Sequence, residues 1–123
     1  MFTTSSFREL KSTFRGDLIA PGDPRYDGAR AVFNPAIDRH PALIARCADT
    51  DDVVRAVKFA RSEGLILSVR GTGHNVAGFA VCDDGLVIDL ANMKGVTVNP
   101  SERRVRAEGG CTWGEVNDAL QPH

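Results

Sequence analysis

The hydrophobic pattern between Ala42 and Val69 changes period twice, and this change constrains the fold more than any other feature of the chain. Leu43-Ile44-Ala45-Arg46-Cys47 is an apolar run of strand length. Asp49-Thr50-Asp51-Asp52 follows, offering an N-cap side chain and first-turn acids that suit the positive end of a helix dipole. Val53, Val57 and Ala60 then recur at i, i+4 and i+7, with Val54, Ala56 and Phe59 widening the apolar stripe. Gly64 stands where a helix closes on a left-handed residue, and Leu65-Ile66-Leu67-Ser68-Val69 reads as the next strand. A strand, helix and strand in this order predict a right-handed crossover that pairs the two strands in parallel.

The flanks complete an α+β chain. Ser6-Phe7-Arg8-Glu9 has the form of a capping box, and Phe7, Leu10 and Phe14 keep helical spacing, predicting a helix up to Gly16. Residues 17–41 hold Pro21, Pro24, Pro35 and Pro41, which remove donors and fix φ, so regular structure is expected there only in fragments. Asp83-Asp84-Gly85 is a turn before Leu86-Val87-Ile88-Asp89-Leu90, a buried strand. Val96 and Val98, then Val105 and Ala107, alternate on either side of Asn99-Pro100-Ser101, which predicts an antiparallel hairpin. Thr112-Trp113-Gly114-Glu115 repeats the capping-box form ahead of Val116 and Leu120.

Composition excludes several functions. Fifteen basic and sixteen acidic residues give a net charge of −1 with no block of like charges, so a nucleic-acid partner is not expected. Cys47, Cys82 and Cys111 are odd in number and widely spaced, which argues against a disulfide framework or a zinc site and for reduced, buried thiols. Residues 1–16 carry Arg8, Glu9, Lys11 and Arg15 without an apolar run, and no stretch has membrane-spanning length. The expectation is a cytoplasmic protein with no membrane partner.

The chemistry sits after the second predicted strand. Arg70-Gly71-Thr72-Gly73-His74-Asn75-Val76-Ala77-Gly78 holds three glycines, so main-chain N–H groups can converge on an anion such as a pyrophosphate with no Cβ in the way. Two better-known phosphate loops do not fit. The dinucleotide fingerprint counted from Gly71 and Gly73 meets Val76 where it needs glycine, and a nucleoside-triphosphate loop from Gly73 to Gly78 meets Phe79 where it needs lysine. His40 and His123 lie too far along the chain to form a metal cluster with His74, and no metal is expected. Asp49, Asp51 and Asp52 are explained by a helix N-terminus, Arg103, Arg104 and Arg106 by a solvated hairpin face, and Trp113 by packing.

Arg70-Gly71-Thr72-Gly73-His74-Asn75 resembles the R-G-G-G-H-[SN] motif of the berberine bridge enzyme-like FAD-linked oxidases, in the vanillyl-alcohol oxidase superfamily, with Thr72 in place of the middle glycine. Similarity continues upstream through Tyr26-Asp27, Phe33-Asn34, Asp38, Pro41 and the run from Ala42 to Cys47. Downstream it includes Asp83 to Leu90 and Gly109-Gly110-Cys111-Thr112-Trp113-Gly114-Glu115. Four blocks in the family's order carry far more weight than one glycine loop.

The resemblance implies residues 1–41 as an N-terminal helix and proline-rich lead-in. Residues 42–123 are then the first part of a PCMH-type FAD-binding domain whose second half, with a separate substrate domain, is absent. It also implies FAD as cofactor, bonded covalently through an unprotonated imidazole nitrogen of His74 to the flavin 8-methyl carbon. Arg70, Gly71, Thr72, Gly73, Asn75 and Gly78 are then expected to hold the pyrophosphate, chiefly by main-chain donors. The implied reaction is hydride transfer from a small organic substrate to FAD, then to dioxygen, with the catalytic residues expected beyond His123 and the short chain alone inactive. Cys111 is not expected to form the second flavin link that some family members carry. Self-association through apolar surface is expected of the chain in isolation. The residues alone leave two alternatives, a non-catalytic module for flavin or another phosphate ligand, and an interaction domain with no cofactor.

Overall fold

In the computed structural model, which describes residues 2–123, β4 (Leu86–Asp89) lies at the centre of a four-stranded sheet of order β1-β2-β4-β3. β2 (Leu43–Arg46) and β3 (Leu67–Arg70) both run parallel to it, with Leu43 and Leu67 flanking Leu86 and Arg46 and Arg70 flanking Asp89. The two strands of the crossover are therefore parallel but do not touch. The expected β2–β3 pairing is corrected by insertion of β4, whose every residue is buried. β1 (Asp17–Ile19) adds an antiparallel edge, pairing Ile19 with Ile44.

Alternation along the strands sends side chains to two separate cores. Leu43, Ala45, Leu86 and Ile88 face α1 (Thr4–Thr13) and α3 (Thr50–Ser62), where Leu10, Ala56, Phe59 and Ala60 meet them. Ile19, Ile44 and Val87 face the lead-in and pack against Tyr26, Ala29 and Val81. Covered on both faces, β2 and β4 read as unbroken apolar runs. Each large side chain removed from water there contributes roughly 1.5–3 kcal/mol. β3 is the outer strand, and only Ser68 of its four residues is buried.

α3 begins as expected, with Asp49 as N-cap accepting from the Asp52 amide, and ends before Gly64 at φ +65°. Asp52 is fully buried and accepts the N–H groups of Arg15 (2.9 Å), Gly16 (2.8 Å) and Ala48 (3.0 Å). Burial pushes its carboxyl up, but those donors and the Arg55 guanidinium at 3.2 Å outweigh burial and hold it below the ordinary value. It ties the end of α1 to the start of α3.

The N-terminal helix differs from expectation. Its cap is Thr3, whose hydroxyl accepts from the Ser6 amide, so Ser6 lies inside α1, and the helix stops at Thr13. The proline-rich stretch holds two short elements, β1 and α2 (Tyr26–Arg30), with the prolines outside both. Beyond β4, the hairpin β5 (Val96–Asn99) and β6 (Arg104–Ala107) forms a separate two-stranded sheet. α4 (Trp113–Leu120) starts at the expected reciprocal box of Thr112 and Glu115.

Candidate functional site

The glycine loop leaves the carboxyl end of β3, the strand beside the central one. Its first residue is turned into the protein. Arg70 donates through Nη1 to the carbonyls of Ala29 (2.7 Å) and Ala31 (2.8 Å), while its own carbonyl accepts from the Leu90 amide (2.9 Å). The side chain thus fastens β3 to the lead-in. Gly71 passes so close to the turn after β6 that a Cβ there would stand 2.5 Å from the Gly109 oxygen. At Gly73, φ is +78°, and a Cβ would meet Arg70 Nη2 at 2.7 Å. The backbone path therefore needs these glycines.

Three groups from the lead-in brace the loop from outside. The Phe33 amide donates to the Gly73 carbonyl (2.9 Å), and the Asn34 side chain donates to the Val76 carbonyl (2.9 Å). Arg39 Nη1 donates to the carbonyls of Gly78 (2.9 Å) and Val81 (3.0 Å). Asn75 closes the loop on itself, its carbonyl accepting from Gly78 (3.1 Å) and its Oδ1 from Phe79 (3.2 Å). The carbonyls of Arg70, Gly73, Asn75, Val76 and Gly78 are thus engaged by the protein.

The amides are not. The main-chain N–H groups of Thr72, Gly73, His74, Asn75, Val76 and Ala77 donate to no acceptor among the described residues. Six consecutive uncommitted donors on a braced, glycine-relieved backbone suit an anion such as the diphosphate of a dinucleotide. His74 projects from the middle of this run, exposed, with its ring 5.1 Å from that of Phe33 at 57°. Residues 70–75 and 78, all singled out from sequence, thus share one loop. Phe33, Asn34, Arg39 and Gly109 were not read as parts of the site, because no periodicity links them to residues so distant in the chain.

Other residues settle into structural places. Arg103, Arg104 and Arg106 are exposed on the hairpin. Trp113, assigned above to packing, is 80% exposed, since α4 is anchored by Val116 instead. Burial pushes the Cys47 thiol up to about 12, helped by nearby Asp52 and Asp89. Cys82 and Cys111 are half-buried and free. No helix of the described residues is long and apolar enough to cross a membrane.

Comparison with known proteins agrees with the loop. Residues 41–123 match the family model described as FAD binding domain. The FAD-linked oxidoreductase YgaK of Bacillus subtilis is 35% identical over 110 residues, covering 89% of this chain and 24% of its own length. (R)-6-hydroxynicotine oxidase of Paenarthrobacter nicotinovorans is 35% identical over 104 residues, covering 85% of this chain and 23% of its own. Among solved structures, 6-hydroxy-D-nicotine oxidase from Arthrobacter nicotinovorans superposes with a TM-score of 0.85 at 33% identity, over 89% of this chain and 24% of that one. The BBE-like 1 protein of Physcomitrella patens, at 22% identity, shares the fold with a TM-score of 0.86, over 94% of this chain and 25% of that one. The chain spans about a quarter of the length of these relatives. A glycine loop with bare amides, set in a sheet of this topology and matched across most of its length, is thus accounted for: the chain belongs to the FAD binding domain family, whose relatives here are FAD-linked oxidoreductases, and its cofactor is FAD.

Proposed function

We propose that this chain is the first part of an FAD-dependent oxidase that carries its flavin covalently on His74. The observation that supports this reading most directly is the placement of an exposed imidazole inside the run of six uncommitted amides. A diphosphate held by those donors would bring the rest of the dinucleotide alongside the ring of His74. An imidazole nitrogen that carries no proton has a lone pair free to bond to carbon.

When bound, FAD supplies the capacity to accept a hydride from a small organic substrate and to pass the electrons to dioxygen. The chain's own residues bind and orient. Thr72 to Ala77 present their N–H groups, Arg70 and Arg39 hold the two ends of the loop, and Gly71 lets the Gly109 turn close against it. The oxidase name of one relative supports dioxygen as acceptor.

The test uses the complete protein. Wild type should retain flavin absorbance through acid precipitation, whereas His74→Ala should lose it while still binding dissociable FAD. Flavin that stays with denatured His74→Ala would assign the link to another residue.

A further inference from the structure

The lead-in dipeptide Phe33-Asn34 holds the loop on both sides of the attachment residue. Its first amide fixes Gly73, immediately before His74, and its second side chain fixes Val76, two residues after it. Asn34 is itself locked, because its Oδ1 accepts from the Ala36 amide at 3.0 Å while its Nδ2 donates to Val76. Only one orientation of the side-chain amide satisfies both bonds. The Phe33 ring meanwhile stands against the imidazole, yet is 71% exposed. An apolar ring of that size left in water makes little contribution to the core. Among the described residues, its ring partner is His74. The pair thus fixes the main chain around His74 and limits where its ring can swing.

We infer that Phe33 and Asn34 are positioning residues that set the rate of covalent flavin attachment at His74. The inference rests on the His74 reading above. Attachment would replace a C–H bond of the flavin 8-methyl group and the imidazole N–H with a C–N bond; the two hydrogens would leave as protons, and the two electrons would reduce the flavin and then pass to dioxygen, giving hydrogen peroxide. Bond formation between two held groups is sensitive to small displacements, and loosening the imidazole should slow it without removing the amides that bind the diphosphate.

The experiment reconstitutes the complete apoprotein with FAD and follows acid-stable flavin over time, with dissociable binding measured separately. Phe33→Ala should slow attachment by about tenfold or more, a scale set by the cost of misplacing reacting atoms. FAD affinity should stay within about threefold, because the amide donors remain. Phe33→Tyr, which keeps an aromatic ring, should restore the rate. Asn34→Asp keeps the acceptor for Ala36 but loses the donor to Val76, so it should slow attachment too. Attachment at the wild-type rate in both Phe33→Ala and Asn34→Asp, with His74→Ala blank, would overturn this inference and leave the His74 reading intact. Acid-stable flavin in His74→Ala, or none in wild type, would overturn both.

Discussion

The central strand β4 and the glycine loop lie side by side, yet they use their polar groups in opposite ways. In β4 every residue is buried, both neighbours are hydrogen-bonded, and even Asp89 is engaged, by Arg46 Nε at 3.1 Å and the Ala91 amide at 2.9 Å. In the loop five carbonyls are held, those of Arg70, Gly73, Asn75, Val76 and Gly78, and the amides of residues 72–77 are left without acceptors among the described residues. A buried backbone needs partners to be stable, so uncommitted donors survive only where solvent or a ligand reaches them. Stability is therefore concentrated in the sheet and binding capacity in the loop, and substitutions in one should scarcely register in the other.

The largest effect should come from the sheet. Ile88→Ala removes a fully buried side chain from the core shared with α1 and α3, and should cost about 2–5 kcal/mol in chemical denaturation. If FAD affinity of the surviving folded protein fell as steeply, the separation between sheet and loop would be broken.

Asp52 should rank next. Its pKa is depressed in the folded state, so its contribution is complete above the unfolded carboxyl value, near 4, and is lost as pH falls through the folded value. Asp52→Asn should lower stability by about 1–3 kcal/mol at neutral pH, because donors from Arg15, Gly16 and Ala48 lose a charged acceptor. The gap to wild type should narrow below about pH 4 as Asp52 protonates. Melting curves at several pH values would show it, and a gap independent of pH would deny the carboxylate its role.

Thr72→Ala should do least. It keeps the main-chain N–H and removes only an exposed hydroxyl, so FAD affinity by fluorescence titration should stay within about threefold. A larger loss would sharpen the comparison by giving side chains a share in holding the diphosphate.

Much of this was legible in the sequence where local signals act alone. Asp49, Gly64 and the Thr112–Glu115 box mark helix ends because their hydrogen bonds span only a few residues. Gly73 and Gly78 of the loop were legible for the same reason, since positive φ is a property of one residue. Strand adjacency was not. Periodicity describes each strand's faces and is silent about which strand slips between two others, so β4 between β2 and β3 had no signature. The Ser6 box failed because Thr3, three residues earlier, offered the same chemistry at a better register. Prolines hid β1 and α2, although β1 ends before Pro21, α2 lies between Pro24 and Pro35, and neither contains one. The braces from Phe33, Asn34 and Arg39 depend on tertiary proximity, which no window along the chain contains.

The position of β4 also dictates a schedule for synthesis. As the nascent chain leaves the ribosome, Leu43–Arg46 and Leu67–Arg70 emerge first, and neither can pair in parallel until Leu86–Asp89 follows. Two apolar segments with open edges must wait for the last strand, and pairings of such long sequence separation form slowly. The interval between translating Arg70 and Asp89 is thus the window in which this sheet is most exposed to wrong partners and in which a chaperone would be of most use.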